Sequence, residues 1–391
     1  MTSVLISGAS IAGPALAYWL RHYGYDVTIV EKADALRGGG YPIDIRGTAL
    51  DVVDRMGLLP PLREAHVHTR KISFLNPDGS VLTSFTPDTV TGIAAADLEI
   101  RRGDLATILY GTIRDDVEMI FNDSIASLDD RGDGVDITFA GGARRTFDLV
   151  VGADGLHSRT RSLVLGPEAQ YHHYIGYSFA GYGMRNHLGL SREGVLWAVP
   201  GRAAALYAVG DNPEYVHAFL NVGITEPPLD AHRDPEAQRR LIASLFTDQQ
   251  WEIPRMVEAM LHADDLFFDV VSQIRLPRWS QGRVALVGDA AYAPSFLTGQ
   301  GSSLALVGAY MLAGELATHA DHTAAFAAYE KNTREFVERN QALVTVGEAT
   351  MFPTTAATLE RRNSMLLGLS ELPSDAEPAH SALALPKFSL T

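Results

Sequence analysis

The 391-residue chain contains no cysteine, which excludes disulfides, thiolate nucleophiles, cysteine zinc sites and any cysteine-linked cofactor. Positive charge is also scarce, because 32 Lys and Arg stand against 47 Asp and Glu, and the formal net charge is −15. This balance argues against a nucleic acid as the main partner. The chain has no low-complexity run and is 46% hydrophobic, so we expect all of it to fold. The lack of cysteine fits a cytoplasmic protein.

Long apolar segments are missing as well. Val284 to Val287 is too short to span a bilayer, and Leu304 to Leu316 is interrupted by Gly and Glu. The chain enters an apolar strand directly after Met1-Thr2-Ser3, without a basic segment or a cleavage site. We therefore expect neither a membrane span nor a signal peptide. The sequence does not indicate an oligomeric state.

The pattern of apolar residues predicts an α/β protein. Residues 3 to 7 form a β-branched run, a helical pattern follows from Pro14 to Leu20, and Val27 to Val30 predicts a second strand. The segment 172–275 is rich in aromatic residues and in predicted strands, which indicates a separate sheet-based unit. Helical patterns then fill most of 303 to 351.

The first strand runs into a glycine-rich turn, Gly8-Ala9-Ser10-Ile11-Ala12-Gly13, which is G-x-G-x-x-G with serine at the middle position. Gly8 allows the tight turn, Gly13 lets helix and strand pack closely, and the helix N-terminus offers N–H groups to a pyrophosphate. Glu31 follows Gly13 by 18 residues, at the end of the second strand and next to Lys32. A carboxylate there can accept hydrogen bonds from ribose hydroxyls, so these residues predict a dinucleotide site.

Two other interpretations of this turn remain open. The same letters nearly spell the G-x-S-x-G nucleophile elbow of a serine hydrolase, with Ser10 as nucleophile. However, an elbow needs earlier strands, and alanine stands here at the closing glycine position. A Rossmann dehydrogenase that uses only a nicotinamide cofactor is the second alternative.

Two later segments add to the dinucleotide interpretation. The first is a strand that ends in Gly152-Ala153-Asp154-Gly155 and is followed by Ser158, Arg159 and Arg161. Alone, such a segment is typical of a structural turn with a capping aspartate. The second has Gly288-Asp289-Ala290-Ala291 at the end of a strand, with Gly299-Gln300-Gly301 leading into a helix whose N–H groups can face an anion.

Together the three segments resemble the class A, single-component FAD-dependent monooxygenases of the para-hydroxybenzoate hydroxylase superfamily, which includes tetracycline-inactivating and polyketide-tailoring aromatic hydroxylases. The resemblance implies a Rossmann-like, GR2-type FAD-binding domain, an inserted sheet-based substrate domain and a helical C-terminal region. We expect the FAD-binding domain at 1–70, 96–171 and 276–345. The substrate domain is expected at 71–95 and 172–275, and the C-terminal segment at 346–391.

The resemblance also implies roles for matching residues. The ADP half of FAD is assigned to Gly8, Ser10, Ile11, Ala12, Gly13, Glu31 and Lys32. Asp154 supports FAD and the nicotinamide cofactor, and Arg102 contacts FAD. Asp289 bonds a ribityl hydroxyl, next to Gly288 and the loop of Gly299, Gln300 and Gly301. Arg46 lines the flavin edge. For both arginines the alternative is a solvated surface charge.

The implied reaction consumes NADPH or NADH to reduce FAD. Oxygen then adds to flavin C4a, and one oxygen atom enters an aromatic or polyketide-like small molecule. Because the cofactor supplies this chemistry, an apolar pocket matters more than a particular acid or base. The pocket candidates, each of which could instead be core, are Phe179, Tyr182, Trp197, Phe219 and Phe296. Epoxidation, Baeyer–Villiger insertion and dehydrogenation on the same fold remain open. Neither His66 and His68 nor His172 and His173 carry a complete metal set, so we expect no metal.

Four positions depart from the family pattern. Tyr292 stands in place of the usual histidine, a change shared with related polyketide enzymes. Phe296 stands where many relatives have a proline that faces the flavin. Pro294 supplies a conformationally rigid residue two positions earlier. Gly308 replaces a common aspartate and Ser303 a common asparagine. These changes bear on the oxygen chemistry more than on FAD binding.

Overall fold

The computed structural model describes residues 1–36, 40–86, 97–228, 234–369 and 379–388. Within them the strands are β1 (Ser3–Ser7), β2 (Asp26–Glu31), β3 (Pro42–Ile45), β4 (Lys71–Leu75), β5 (Val81–Phe85), β6 (Leu98–Arg101), β7 (Glu118–Phe121), β8 (Ile125–Asp130), β9 (Val135–Phe139), β10 (Arg144–Phe147), β11 (Leu149–Gly152), β12 (His172–Arg185), β13 (Glu193–Val199), β14 (Arg202–Tyr207), β15 (Tyr215–Gly223), β16 (Phe267–Ile274), β17 (Ser280–Gln281) and β18 (Val284–Leu286).

The helices of the same residues are α1 (Ala12–His22), α2 (Thr48–Arg55), α3 (Leu59–Glu64), α4 (Arg102–Gly111), α5 (Arg159–Leu165), α6 (Pro235–Leu245), α7 (Ile253–His262), α8 (Asp289–Tyr292), α9 (Gly301–Thr318), α10 (His322–Ala342), α11 (Val344–Met351) and α12 (Ala356–Gly368). Single 3₁₀ turns lie at Glu168–Gln170 and Phe296–Thr298.

A six-stranded sheet in the order β17-β18-β11-β1-β2-β7 forms the centre of one half of the molecule. We call it the cofactor half because the three glycine-containing segments lie in it. All its pairs are parallel except β17–β18. Its strands β1 and β11 are almost wholly buried, as expected for parallel strands covered on both faces. Helices α1, α2, α9 and α10 cover one face, and the antiparallel sheet β10-β9-β8 covers the other. The carboxyl ends of β1, β11 and β18 therefore meet at one edge, where all three glycine-containing segments begin.

A seven-stranded sheet in the order β16-β12-β15-β14-β13-β4-β5 forms the second half. Alternate residues along each strand point to opposite faces. One face packs on α6 and α7, through residues such as Leu220 and Met256. The opposite face is covered in part by α11 and α12, through Phe352 and Leu359. The small ladder β3–β6 belongs to the cofactor half.

We propose for the folded chain the domain division given above. In support, every strand of the seven-stranded sheet falls within 71–95 or 172–275.

Candidate active site

The glycine turn after β1 has no room for side chains. Gly8 has a φ of +108°, and a Cβ there would lie 2.5 Å from the carbonyl oxygen of Ala153. A Cβ on Gly13 would overlap the carbonyl oxygen of Gly8. Helix α1 starts at Ala12, with no side-chain cap and no acidic residue in its first turn. Its first N–H groups are therefore available to an anion such as a pyrophosphate.

Glu31 and Arg102 both reach this turn. The Glu31 carboxylate accepts hydrogen bonds from the backbone N–H groups of Ala9 at 2.8 Å and Ala33 at 3.0 Å. Arg102 donates from Nη2 to Ser10 Oγ at 2.7 Å. Among the described residues no histidine bonds to Ser10, so the hydrolase interpretation gains no support. Lys32 is exposed.

Asp289 lies where β18 ends, beside the first turn of α1. A Cβ on its neighbour Gly288 would lie 3.0 Å from Ala12 Cβ. Solvent reaches the Asp289 side chain, but it lies in a recess where desolvation raises the pKa of the carboxyl group and nearby Arg102 partly offsets that rise. A carboxylate in such a recess can accept hydrogen bonds from a polyol chain.

The loop Gly299–Gly301 runs next to Asp289, because a Cβ on Gly301 would lie 3.8 Å from Asp289 Oδ1. The Gln300 side chain is fully buried, and neither of its amide atoms has a hydrogen-bond partner in the part of the chain that the structure describes. Leaving a buried polar group unpaired costs about 1–3 kcal/mol. Helix α9 starts here with no side-chain cap and no acidic residue in its first turn, as α1 does.

Arg46 lies at the side of this loop. Its Nη2 is 2.9 Å from Asp44 Oδ2, and its backbone N–H donates to Ser303 Oγ at 3.2 Å. Asp44 Oδ2 is 3.4 Å from the position of a Cβ on Gly299. Ser303, where the family usually has asparagine, thus positions the backbone of Arg46.

Asp154 turns its carboxylate toward α5. Oδ1 accepts from Ser158 Oγ at 2.5 Å, and Oδ2 accepts from Thr160 N and Oγ1, both at 2.9 Å. The side chain therefore organises the start of α5, while its Cα lies 3.1 Å from the position of a Cβ on Gly8. A direct contact of Asp154 with a cofactor stays a prediction.

Arg161 was assigned no role from the sequence, yet it joins two of the three segments. The side chain is fully buried. Nη1 donates to the carbonyl oxygen of Ala290 at 3.0 Å, and Nη2 donates to that of Leu156 at 2.7 Å. Nη2 also lies 2.5 Å from Glu168 Oε2. Arg161 thus fixes the distance between the Asp154 and Asp289 segments.

His157 extends this cluster. Nδ1 lies 2.8 Å from Glu168 Oε1 and Nε2 lies 3.1 Å from Asp269 Oδ1. Burial lowers the pKa of His157, but the hydrogen bonds and charges of Asp269 and Glu168 outweigh it and raise the pKa to about 9. The side chain is 33% exposed, so solvent screens part of this interaction.

This shift predicts a loss of stability in mild alkali. Since the folded pKa is about 9 against an ordinary value of 6.5, the stabilisation is complete below pH 6.5 and is lost as pH rises through 9. After allowance for solvent screening we expect a loss of about 1–2 kcal/mol. Urea unfolding between these pH values measures it. His157→Gln should remove the pH dependence and exposed His187→Gln should leave it; equal slopes in all three proteins would contradict the assignment.

Two buried glutamines hold the loop after α8. Gln341 Nε2 donates to the carbonyl oxygens of Tyr292 and Ala293, both at 3.2 Å. Gln273 Nε2 donates to that of Pro294 at 2.9 Å. Because these carbonyls belong to the segment that leads to Phe296, the glutamines position the boundary between the two halves.

The next residue, Ser295, has φ +80° and ψ 146°, a conformation that only glycine adopts easily. Such a residue costs of the order of 1–3 kcal/mol and persists when its surroundings hold it. It directs Phe296, which is 40% exposed, toward Phe179 with a ring-centroid distance of 4.8 Å.

Two departures from the family pattern form one pair. Tyr292 is buried, and its hydroxyl exchanges a hydrogen bond with that of Tyr329 at 2.9 Å. A Cβ on Gly308 would overlap the Tyr292 hydroxyl. Glycine at 308 therefore makes room for tyrosine at 292.

The pocket candidates separate onto two faces of the seven-stranded sheet. Phe179, Phe219 and Asp269 share the face directed at the cofactor half. The Phe219 ring lies 5.7 Å from that of Tyr41, and the charge of Asp269 contributes to the raised pKa of Asp289. With Phe296, these phenylalanines form an apolar wall beside the Asp289 recess.

Tyr182 and Trp197 lie on the opposite face and do not join that wall. Tyr182 donates from its hydroxyl to the carbonyl oxygen of Met256 in α7, and Trp197 Nε1 donates to that of Pro77. Trp197 is fully buried and Tyr182 is 4% exposed. For these two the alternative of core packing fits the structure.

The residues at the edge of the six-stranded sheet fit FAD. The site offers two uncapped helix N-termini, a glycine turn after β1 without room for a Cβ, the recessed Asp289 and the unpaired amide of Gln300. These groups are partners for phosphates, hydroxyls and ring heteroatoms. Within the described ranges no three His, Asp or Glu side chains group as metal ligands. No helix there is long and apolar enough to cross a membrane.

Comparison with known proteins gives consistent relatives. Residues 1–345 match the family model described as FAD binding domain. A Mycobacterium tuberculosis protein named only as uncharacterized is 46% identical over 347 residues, which cover 88% of this chain and 93% of that protein. A flavin-dependent monooxygenase of an unknown prokaryotic organism is 37% identical over 388 residues, covering 98% of both chains.

The crystal structure of tetracycline destructase Tet(55) matches with a TM-score of 0.85 and 36% identity, and covers 98% of each chain. The fold class predicted from the sequence is confirmed. FAD as cofactor is likewise confirmed, which sets aside the nicotinamide-only dehydrogenase. The chain therefore belongs to the FAD binding domain family and is a class A flavin-dependent monooxygenase.

Proposed function

We propose that this monooxygenase uses NADPH or NADH to reduce FAD and inserts one oxygen atom of O2 into an aromatic or polyketide-like small molecule. The wall of Phe179, Phe219 and Phe296 beside the polar recess of Asp289 carries the proposal. Such a wall suits a flat apolar ring better than a flexible polar substrate. The similarity to a tetracycline destructase supports a polycyclic substrate.

The chain's residues have separable tasks. When bound, FAD stores two electrons and activates oxygen for transfer. We propose that the cofactor is held by Gly8, Ser10, Ile11, Ala12, Gly13, Glu31, Lys32, Arg46, Arg102, Asp154, Gly288, Asp289, Gly299, Gln300 and Gly301. Phe296 and Phe179 orient the substrate ring and exclude water from the reacting atoms. Tyr182 and Trp197 support the sheet from behind.

The test is NADPH and NADH oxidation by the FAD-loaded protein, with and without a panel of phenolic polyketides that includes tetracycline. Oxygenated product and peroxide are scored together by mass spectrometry and a peroxide assay. The proposal expects a compound that strongly stimulates oxidation and yields a product heavier by one oxygen atom. Nucleotide oxidation that gives only peroxide with every compound would count against it.

Phe296→Ala should uncouple the reaction without releasing FAD. Because the exposed ring shields the reacting atoms from water, we expect product formed per NADPH to fall about tenfold, equivalent to about 1.4 kcal/mol. Leu261→Ala is the matched control, since Leu261 is 41% exposed on α7, behind the sheet. Equal coupling in the two variants would show that Phe296 does not line the pocket.

A further inference from the structure

A series of four charged side chains connects the cofactor half with the seven-stranded sheet. Arg161 donates to the carbonyl oxygen of Ala290 in α8 at 3.0 Å, and its Nη2 lies 2.5 Å from Glu168 Oε2. Glu168 Oε1 lies 2.8 Å from His157 Nδ1, and His157 Nε2 lies 3.1 Å from Asp269 Oδ1. The series therefore begins at the helix that carries the carboxylate of the recess and ends in β16.

The geometry of His157 is that of an imidazolium. Both of its ring nitrogens face carboxylate oxygens, and an ionised carboxylate accepts hydrogen bonds but donates none. A neutral imidazole has a single N–H group, so it would place a lone pair against one of the two carboxylates. The protonated ring satisfies both, and the four side chains then carry two positive and two negative charges.

His172 and Asp154 border these four side chains, from β12 and from the start of α5. The His172 ring stacks on that of His157 with a centroid distance of 6.4 Å, and burial lowers the pKa of His172, so it is neutral at neutral pH. The Asp154 carboxylate accepts hydrogen bonds from Ser158 and Thr160. Neither residue supplies a positive charge, so loss of the His157 proton would leave one uncompensated negative charge here.

Asp269 is the member of the series that faces the recess. It is the ladder partner of Phe179, so its side chain shares the cofactor-facing side of the sheet with the phenylalanine wall. That side chain is 14% exposed, so solvent screens its charge only in part. Burial is the largest cause of the raised pKa values of Asp289 and Tyr41, Arg102 opposes it, and the charge of Asp269 adds to both.

We propose that His157 is a positioning residue for flavin reduction, which holds the Asp269 carboxylate and neutralises its charge beside the recess. Charges near a bound flavin tune how readily it accepts electrons, because reduction adds negative charge to the ring. An unpaired Asp269 would oppose that added charge. The inference goes beyond the proposed function, since it requires bound FAD but neither the proposed substrate nor a nicotinamide cofactor.

The test is the midpoint potential of the bound flavin at neutral pH, measured against a reference dye with xanthine and xanthine oxidase as reductant. His157→Gln keeps a hydrogen-bond donor and removes the charge. We expect the equilibrium constant for two-electron reduction to fall about tenfold, equivalent to about 30 mV. His157→Arg restores a cation and should stay near the wild-type potential. His187→Gln, on an exposed turn, is the matched control and should leave the potential unchanged.

The pH dependence of the potential separates the charge of His157 from a structural role. Against the effect of burial, its two carboxylate partners raise the pKa of His157 to about 9. The neutralising charge is therefore present at neutral pH and is lost as pH rises through 9. The difference in potential between the wild type and His157→Gln should disappear over the same range, because both then have an uncharged side chain at 157.

Several results would overturn the proposal. One is an unchanged potential in His157→Gln, even with a lower Tm, because it would show a purely structural role. Equal falls in potential in His157→Gln and His157→Arg are another. If His157→Gln does not retain FAD, the wild-type titration decides, since we expect an additional fall in potential centred near pH 9 and a single slope across that range would contradict it.

The proposed function can fail independently of this role. These measurements use no substrate and no nicotinamide cofactor, so a His157-dependent potential without any oxygenated product refutes only the proposed reaction. Oxygenated product together with a potential that does not depend on His157 refutes only the role of His157.

Discussion

Gly13→Ala is expected to yield a protein that no longer retains FAD. The new methyl group would overlap the carbonyl oxygen of Gly8, a backbone atom that cannot move aside as a side chain can. Either α1 shifts away from β1 or the turn opens, and both displace the N–H groups that we propose face the cofactor. We expect a cost of about 3 kcal/mol and a fall in FAD affinity of about 100-fold or more. FAD per chain after gel filtration and Tm measure the two effects.

Gly111→Ala is the matched control for that substitution. Gly111 ends α4, is exposed, and has no atom within 4 Å of the position of a Cβ. The same chemical change there should leave FAD content and Tm as in the wild type. Retention of a full complement of FAD by Gly13→Ala would show that the cofactor does not use this turn.

Arg161→Met should be the most destabilising substitution in the charged cluster. It removes donors from the carbonyls of Leu156 and Ala290 and leaves Glu168 half-buried without its arginine. Breaking a buried pair in this way costs about 3–5 kcal/mol. Urea unfolding measures the cost, and FAD content reports whether the Asp289 segment has moved.

Arg159→Met on the same helix serves as its control. Arg159 is exposed, and within the described residues its side chain donates to the carbonyl oxygen of Ala126 at 3.2 Å. The change should alter the free energy of unfolding by less than about 0.5 kcal/mol. If the two variants unfold alike, Arg161 does not join the segments as the structure indicates.

The cofactor half could be predicted because each sequence pattern that indicates it lies within a short segment of the chain. The turn from Gly8 to Gly13 is recognisable because its backbone path leaves no room for a Cβ. Glu31 is recognisable because it is an acidic residue at the end of a strand. Parallel strands then bring their carboxyl ends to one edge, so Asp289 could be assigned to the same site without a structure.

The pocket was predictable only in part, because residue type does not tell which face of a strand a side chain occupies. Phe179 and Tyr182 are three positions apart in β12 and must point to opposite faces. That parity alone shows that both cannot line one pocket. Which face meets the cofactor half depends on where α6 and α7 pack, and a single sequence does not encode this in any local pattern.

Arg161, Gln273 and Gln341 escaped prediction for a different reason. Each is a polar residue of a type that is usually exposed to solvent. Each acquires its role from partners far away along the chain. Gln341 contacts the carbonyl of Tyr292, 49 positions earlier. Such contacts exist only once the two halves have come together.

The overlap between a Cβ at position 308 and the Tyr292 hydroxyl implies an order in which residues 292 and 308 can be substituted. An aspartate cannot enter at 308 while the tyrosine hydroxyl occupies that space, so position 292 has to shrink first. Histidine at 292 with glycine at 308 would leave a void and lose the bond to Tyr329, an intermediate of reduced stability. The pair Tyr292 with Gly308 and the pair histidine with aspartate are thus separated by less stable single substitutions. The energetic effect of either substitution should reverse sign according to the residue at the other position.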